Sequence, residues 1–427
     1  MVKVILGAQW GDEGKGKMID YLADQAEIVI RYQGGSNAGH TIVNEYGQSV
    51  LHLIPSGIFN PETKCVIGTG VVVHPEDLLS EINQLMEKGI SKHQIEKQLM
   101  ISERAHLVMP YHVVLDKLDE QKRRQKIGTT LKGIGPAYVD KVGRNGLQVG
   151  DLLHLEAIKG RVQEIVQNKN EIITKLYNGT PLEFDSIWNK LKDYREQLAP
   201  FIKDTQRIVL DAIKNKKQIL AEGQLGVMRD LDWGAYPFVT SSNPIASAVG
   251  VGIGIPPHKI NDVLGICKAY TTTVGEGEFI TGLDDEVGVF LGQKGQEFGA
   301  TTGRVRNCGW LDLPAVKYGA EINGYTGIAL TKIDVLSTLS ELKICTRYRH
   351  KETGERVDTL RPYIEMGQLE PVYETLPGWE DDLSTCRTYE DLPKNAIAYI
   401  EKIEQFLGVP IQYISVGSHR EQTLIKE

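Results

Sequence analysis

The chain has 427 residues, 41% of them hydrophobic and 24% charged, which predicts a globular protein with one large elaborated domain or two intimately packed lobes. Its formal net charge of −8 argues against general nucleic-acid binding, because a phosphate backbone would be repelled, and leaves only a local basic site for a small anion. No stretch approaches the roughly 20 apolar residues of a membrane span, and five scattered cysteines without a C-x-x-C pair favour a reducing cytoplasm over disulfides or a zinc site.

Short apolar runs alternate along the chain with longer runs of helical period. Strands are predicted at 2–6, 27–32, 50–54, 64–68, 217–221, 263–271, 327–331, 342–348 and 411–415. Helices are predicted at 15–25, 75–88, 111–124, 155–176, 185–214, 310–320 and 391–406. This alternation predicts an α/β fold whose central sheet is mostly parallel and covered by helices on both faces. We interpret residues 1–427 as a single domain, with the long polar stretch at about 155–214 as a helical insertion on the sheet.

The first glycine-rich loop, GAQWGDEGKGK at 7–17, follows the first predicted strand and leads directly into a helix. Its glycines let backbone N–H groups turn toward a phosphate, while the helix N-terminus and a lysine supply positive charge. The spacing between Gly7 and Gly14 is two residues longer than in a P-loop, and Gly16 replaces the usual Ser or Thr that holds Mg²⁺. The alternative is a glycine-rich turn with solvated charges. We predict a phosphate-binding loop in which Asp12 is the metal-binding carboxylate.

The second glycine-rich loop, RYQGGSNAGHT at 31–41, follows the strand predicted at 27–32. His40 can act as acid, base or hydrogen-bond donor near neutral pH, although a lone loop histidine is more often a surface residue. Ligands of parallel sheets bind beyond the carboxyl ends of the strands. The two loops are therefore predicted to place Asp12 and His40 on opposite sides of one bound group, as a base and acid pair.

The tetrad TKID at 331–334 follows the apolar strand predicted at 327–331. In many GTP-binding proteins the aspartate of such a tetrad accepts hydrogen bonds from the N1–H and 2-amino groups of guanine, and the lysine stem packs on the ring. A four-residue match alone is weak. Together with the phosphate loop it favours GTP over ATP.

Ordered motifs along nearly the whole chain resemble the adenylosuccinate synthetase family. They are QWGDEGKGK at 9–17, NAGHT at 37–41, IGTT at 127–130, GIGPAY at 133–138, VTSSN at 239–243, GATTGR at 299–304, GWLD at 309–312, TKID at 331–334, PGW at 377–379 and ISVG at 414–417. The resemblance implies a P-loop-like GTP-binding fold with helical insertions. It also implies a cytoplasmic, Mg²⁺-dependent homodimer that forms adenylosuccinate from GTP, IMP and L-aspartate through a 6-phosphoryl-purine intermediate, without nucleic-acid or membrane partners.

The resemblance further implies roles for individual residues. Asp12 is expected to remove the purine N1 proton and, with the Gly39 carbonyl, to bind the metal, while His40 and Lys15 assist phosphoryl transfer. GTP contacts are expected at Gly14, Gly16, Lys17, Thr41, Arg306, Lys332, Asp334, Ser415 and Gly417. IMP contacts are expected at Asn37, Thr130, Gln224, Thr240, Arg304 and, reaching the site of the other subunit, Arg144. Contacts to L-aspartate are expected at Gly299, Thr301, Thr302 and Arg304.

Two segments depart from the family's usual pattern. EGQLG at 222–226 replaces E-G-A-Q-G, so Leu225 aligns with the IMP-contacting glutamine and Gln224 lies one residue early, on the opposite face of an extended segment. TTVGEGEFITG at 272–282 replaces T-R-V-G-x-G-P-F-P-T-E, which loses an arginine, two prolines and a glutamate and predicts a less rigid loop. Val305 and Asn307 also differ. These departures lie near the expected nucleotide and amino-acid pockets rather than around GTP.

Three functions remain open from the sequence. The first is the ligase, including a variant that uses a related purine nucleotide or a different amino acid. The second is a regulatory GTPase-like switch, which needs neither His40 nor an arginine loop at 304–306. The third is a non-catalytic GTP-binding protein. GTP turnover discriminates between them, because only the ligase requires both a nucleotide acceptor and an amino acid.

Overall fold

The computed structural model describes residues 1–299, 303–362 and 364–426 of the chain. A ten-stranded sheet forms its centre. From one edge to the other, the strands are Thr423–Ile425, Ile411–Ser415, Gly327–Thr331, Ile260–Lys268, Val2–Gly7, Ile219–Gly226, Ile28–Arg31, Lys64–Ile67, Leu99–Ser102 and Ile202–Lys203. All neighbours are parallel except the first pair, which is antiparallel.

The strand Val2–Gly7 lies inside the sheet and is covered by helices on both faces. Val4 belongs to the largest hydrophobic cluster, together with side chains of the helix Leu313–Asn323. Ile5 points the other way and packs in a second cluster with the helix Lys15–Ala23. This arrangement follows from the alternation of side chains along a strand and explains why the strand is apolar on both faces. The prediction of an α/β fold with a mostly parallel, two-sided central sheet is confirmed.

The remaining elements surround this sheet. The smaller sheets contain His40–Asn44 with Gly47–Leu51, Val72–Val73 with His106–Leu107, Thr271–Thr273 with Asn307–Gly309, and Leu311–Asp312, Glu341–His350, Arg356–Val357 and Leu369–Pro377. The α-helices are Lys15–Ala23, Pro75–Glu87, Lys92–Gln98, Pro110–Lys122, Ile134–Gly143, Leu155–Glu171, Phe184–Leu198, Thr205–Lys214, Ala248–Ile253, Glu286–Lys294, Leu313–Asn323 and Lys394–Leu407. Among the described residues, no helix has the length and apolar character needed to cross a membrane. All five cysteines are free and buried.

The helix predicted at 185–214 is two helices, Phe184–Leu198 and Thr205–Lys214. Between them, Ala199–Phe201 forms a 3-10 turn that contains a proline, which cannot donate to the helical hydrogen-bond ladder. Ile202–Lys203 then adds a short parallel strand to the sheet edge. The second helix contributes to the main hydrophobic cluster on the central sheet. The helical insertion at about 155–214 stays a prediction.

Two predicted strands lie outside the central sheet. The strand predicted at 342–348 is Glu341–His350, which pairs antiparallel with Leu369–Pro377. The strand predicted at 50–54 is Gly47–Leu51, which forms a hairpin with His40–Asn44. The spacing of apolar residues predicts that these segments are strands, but it does not indicate which strand each one pairs with.

Candidate active site

The first glycine-rich loop, at 7–17, is organised around a buried carboxylate. Glu13 accepts hydrogen bonds from the N–H groups of Gln9 at 3.1 Å and Gly11 at 2.8 Å, and from Lys15 Nζ at 2.6 Å. Gly14 has a left-handed backbone with φ 87°, after which the helix begins at Lys15. Because the first N–H groups of a helix have no partner within it, this turn offers them to an anion directly beyond the strand. The sequence did not identify Glu13 as part of the loop's structure.

His40 adjoins the first turn of this helix. A Cβ on Gly16 would lie 3.0 Å from His40 Cβ and 2.8 Å from the Thr41 carbonyl oxygen, so only glycine fits at this position without displacing the hairpin. His40 is buried and Thr41 is exposed, in keeping with the alternation along their strand. The two predicted loops therefore meet, as the sequence suggested.

His40 belongs to a buried network of four side chains. Its Nδ1 lies 2.5 Å from Glu222 Oε1, and Arg31 Nη2 lies 3.1 Å from each of these two atoms. Ser56 donates its N–H to Glu222 Oε2 and its hydroxyl to Oε1, both at 2.8 Å. The sequence analysis missed Arg31, Ser56 and Glu222 as site residues.

The electrostatics of this network keep the imidazole neutral. Burial lowers the pKa of His40 to about 4, and Arg31 acts in the same direction while Glu222 opposes it. Burial would raise the pKa of Glu222, but Arg31 and the hydrogen bond from His40 hold it at about 2. With a carboxylate at Nδ1, the proton of the neutral ring lies on Nδ1 and the Nε2 lone pair is available. Nε2 is buried and has no hydrogen-bond partner among the described residues, which marks it as a position for a ligand atom.

A cavity of about 590 Å³ brings together residues from widely separated motifs. The predicted site residues that line it are Asp12, Asn37, Gly39, Thr130, Thr240, Gly299 and Arg304. Asp12 has φ 61°, and its side chain is 35% exposed and therefore accessible from the cavity. Arg304 Nη1 donates to the Gly128 carbonyl at 3.0 Å, and Asn37 Nδ2 donates to Thr240 Oγ1 at 3.4 Å.

Gln224 lies outside this lining. Its amide donates to the carbonyl oxygens of Gly35 at 2.9 Å and His52 at 3.2 Å, both inside the protein. The neighbouring Leu225, whose backbone is left-handed with φ 59°, lines the cavity instead. In this structure the Gln224 amide donates to backbone acceptors outside the cavity lining, and its contact with IMP stays a prediction.

One further predicted residue, Arg144, lies away from the cavity. Arg144 is exposed and follows the helix Ile134–Gly143 with a left-handed φ of 65°, and it does not line the cavity of its own chain. Thr301 and Thr302 lie outside the described residues.

A second cavity, of about 460 Å³, has Asp334 and Gly417 in its lining. Lys17, at the end of the first glycine-rich loop, contacts the segment that lines this cavity. Its Nζ donates to Ser415 Oγ at 2.6 Å and to the Gly417 carbonyl at 2.7 Å. Burial lowers the pKa of Lys17 to about 7, against the attraction of Asp334. Burial likewise raises the pKa of Asp334, while Lys17 and Lys332 oppose the shift. Of the residues predicted to read guanine, Asp334 and Gly417 line this cavity, whereas Lys332 and Ser415 are not part of its lining.

The buried carboxylate of Glu297 forms ion pairs with three cationic side chains. Its Oε1 lies 2.9 Å from Lys268 Nζ and 3.1 Å from Lys332 Nζ, and its Oε2 lies 2.7 Å from Arg306 Nη1. Arg306 Nε also lies 3.0 Å from Asp12 Oδ2. Burial would raise the pKa of Glu297, but the three cations hold it far below its usual range. Arg306 is therefore positioned between the carboxylates of Asp12 and Glu297.

Comparisons with known proteins agree with this geometry. The sequence profile of the adenylosuccinate synthetase family matches residues 4–424. Proteins named adenylosuccinate synthetase from Clostridium botulinum and Carboxydothermus hydrogenoformans are 49% identical over 424 residues and 48% identical over 425, each covering 99% of this chain and 98% of the relative. The structure of fully ligated adenylosuccinate synthetase from Plasmodium falciparum has a TM-score of 0.94 and 39% identity, with 100% of both chains covered. The chain belongs to the adenylosuccinate synthetase family.

Proposed function

We propose that this chain joins L-aspartate to IMP with GTP as phosphoryl donor, producing adenylosuccinate, GDP and phosphate. The observation that carries the proposal is the convergence of a phosphate loop, a large cavity containing Asp12, and a second pocket containing Asp334. The names and full-length similarity of the bacterial and Plasmodium relatives support the same reaction.

In the first step, Asp12 accepts the N1 proton of the purine. Loss of this proton concentrates negative charge on the 6-oxygen and makes it a nucleophile toward the γ-phosphorus of GTP. A bond forms between the 6-oxygen and phosphorus while the bond to the β-phosphate oxygen breaks, and GDP leaves. The exposure of the Asp12 carboxylate to the cavity supports this role.

His40 and Lys15 stabilise the transferring group. Lys15 neutralises phosphate oxygens at the start of the helix, together with backbone N–H groups. In the ligand-free network the proton of the neutral His40 ring lies on Nδ1, and Nε2 carries a lone pair without a partner among the described residues. Donation from Nε2 therefore requires protonation of the ring. An approaching phosphoryl group favours that protonation by its negative charge, and Glu222 stabilises the resulting imidazolium.

The residues fit a Mg²⁺ ion that is completed by substrate oxygens. Among the described residues, no group of three or more His, Cys, Asp or Glu side chains is arranged to hold a metal, so a protein-only cage is absent there. Mg²⁺ is commonly held by one or two carboxylates plus phosphate oxygens and water. Asp12 and the Gly39 carbonyl, which line one cavity, would hold it. When bound, Mg²⁺ offsets charge on the phosphoryl oxygens.

In the second step, the amine of L-aspartate attacks C6 and the phosphorylated oxygen leaves as phosphate. Arg304 suits a substrate carboxylate, because its planar guanidinium presents paired donors. We propose that Gly299, Thr301 and Thr302 complete the amino-acid site, and that Asn37, Thr130 and Thr240 bind IMP. The test is phosphate release from GTP with Mg²⁺ present. Release that requires both IMP and L-aspartate supports the proposal, and release that is independent of either contradicts it.

Guanine recognition gives a prediction of its own. Asp334→Asn should lower kcat/KM for GTP by roughly 10- to 100-fold, because a charge-assisted hydrogen bond contributes roughly 1.5–3 kcal/mol. The asparagine amide can donate to the 2-oxygen of xanthine, so activity with XTP should rise relative to GTP. Steady-state rates with both nucleotides measure the change. Asp358→Asn, at an exposed ion pair with Arg356, is the matched control and should alter neither value. An unchanged GTP:XTP preference in the Asp334 variant would remove the guanine-pocket assignment.

We also propose that the active form is a homodimer in which Arg144 enters the IMP site of the other subunit. The helix Ile134–Gly143 supports a contact surface, since Val139 and Val142 on it are 69% and 81% exposed. Apolar side chains exposed together mark protein contact sites. The absence of Arg144 from its own chain's cavity lining agrees with action in trans.

Mixing two inactive variants tests this arrangement. Asp12→Asn and Arg144→Ala should each be nearly inactive alone, because one lacks the base and the other lacks the arginine. In a hybrid dimer, one site receives Asp12 from one chain and Arg144 from the other. After subunit exchange at equal amounts, about one quarter of wild-type activity is expected, because half of the dimers are hybrids with one intact site. Full activity of Arg144→Ala alone, or no recovery in hybrids shown to form, would contradict the role.

A further inference from the structure

A half-buried arginine outside the predicted set, Arg229, connects two walls of the main cavity. Its Nη1 donates to the Phe238 carbonyl at 2.6 Å. Its Nη2 donates to Thr273 Oγ1 at 2.7 Å and to the Val274 carbonyl at 2.6 Å. Arg229 and these three acceptor residues all line the cavity. One guanidinium therefore holds together two segments that are far apart in sequence.

The backbone of Arg229 strengthens the same connection. The Thr240 N–H donates to the Arg229 carbonyl at 2.9 Å. Arg229 thus contacts the segment 238–240 through both its main chain and its side chain, and this segment carries Thr240, which is proposed to bind IMP. A guanidinium presents its donors in a rigid planar fork, whereas a lysine ammonium is a compact point charge. Only the arginine can bridge these acceptors with this geometry.

The opposite wall of the cavity contains Thr273 and Val274, and its sequence explains why the Arg229 side chain contacts it. Thr273 stands where the family's usual T-R-V-G pattern has an arginine, so this wall lacks a guanidinium of its own. The strand Thr271–Thr273 instead presents a hydroxyl, which the Arg229 side chain contacts from the other wall. Burial lowers the pKa of Arg229 to about 10, while Asp12 raises it and Arg304 lowers it.

We propose that Arg229 is a positioning residue that supplies the guanidinium missing at the position of Thr273, and that it orders the Thr240 wall for binding of the purine monophosphate. It acts through Thr240 and Val274 and not on phosphoryl transfer itself. This inference rests on the proposed function, because it names the part of that site which determines nucleotide affinity. It predicts an effect on the KM for IMP and little effect on kcat or on the KM for GTP.

Three variants test the inference. Arg229→Leu should raise the KM for IMP by about tenfold or more, since it removes the three charge-assisted hydrogen bonds that join the Phe238–Thr240 segment to Thr273 and Val274. Arg229→Lys keeps the charge but loses the fork, and its KM should also rise. Thr273→Arg in the Arg229→Leu background returns a guanidinium from the opposite wall, and the KM should recover to within about threefold of wild type. Calorimetric titration of IMP without GTP gives the matching dissociation constants.

Thr273→Val keeps Arg229 and removes one of its three acceptors, so a smaller rise in the KM for IMP is expected than in Arg229→Leu. The inference is overturned if Arg229→Lys and Thr273→Val bind IMP as wild type does. It is also overturned if kcat falls while the KM for IMP stays constant, or if the folded double variant shows no recovery. Wild type is measured in the same assay. If the wild-type protein does not use IMP and L-aspartate, the proposed function is refuted. If the wild-type protein is active and the variants have an unchanged KM for IMP, only the role of Arg229 is refuted.

Discussion

Asp12→Asn is expected to reduce turnover by roughly 10²–10⁴-fold or more, because general base catalysis contributes about that factor. An asparagine amide cannot accept the purine N1 proton, and it is also a weaker metal ligand than a carboxylate. GTP affinity should change little, since the phosphate loop and the Asp334 pocket remain intact. The measurements are phosphate release at saturating substrates and direct titration of GTP.

The control for this variant is Asp284→Asn, an exposed aspartate outside both cavities, which should leave turnover unchanged. Wild-type turnover in the Asp12 variant would refute its role as the base. A parallel loss of GTP affinity would instead assign Asp12 mainly to nucleotide binding.

Glu222→Gln should destabilise the fold and lower kcat together. Glu222 is fully buried against Arg31, and removing one partner of a buried ion pair costs about 3–5 kcal/mol of unfolding free energy. The same change removes the carboxylate that holds the Nδ1 proton of His40 and stabilises its charged form. Urea unfolding and steady-state turnover measure the two effects, with the exposed Glu352→Gln as control.

The stability effect should depend on pH in a defined direction. The pKa of Glu222 is lowered from 4.5 to about 2 in the folded protein, so its contribution is fully present above about pH 4.5. As pH falls from 4.5 toward 2, the unfolded chain takes up the proton first and the contribution is lost. The difference in unfolding free energy between wild type and Glu222→Gln should therefore shrink in this window. An equal difference at pH 7 and pH 3 would show that the carboxylate is not held in its charged form.

Much of the site followed from the sequence because its residues lie in loops directly after strands. Asp12 is predicted from the first glycine-rich loop and Gly39 from the resemblance to the family, and both residues line one cavity at the carboxyl ends of the strands. The helix predicted at 75–88 is Pro75–Glu87, since proline at its start and a regular apolar face are both visible in the sequence.

The charged members of the buried network around His40 are visible in the sequence, but their pairing with one another is not. Glu222 interrupts the apolar strand Ile219–Gly226, and Arg31 ends the apolar strand Ile28–Arg31. A charged residue inside such a strand requires a partner. The two are register partners across neighbouring strands, and that register comes only from the folded sheet.

Other features have no signal in the sequence. Glu297 lies in a polar stretch where a solvated carboxylate is the ordinary expectation, and its burial results from packing against Lys268 and Lys332. The orientations of the Gln224 and Leu225 side chains could likewise be determined only from the structure. The left-handed backbone at Leu225 decides which of the two side chains meets the cavity, and neither composition nor period encodes that angle.

The central claim is that the purine 6-oxygen becomes phosphorylated before the amine of L-aspartate displaces it. Incubation with GTP, L-aspartate and IMP labelled with ¹⁸O at the 6-position tests it directly, with mass spectrometry of the released phosphate. The account predicts one ¹⁸O atom in each phosphate and none in adenylosuccinate at the former 6-position. Unlabelled phosphate, with the product formed and the label released to water, would contradict it.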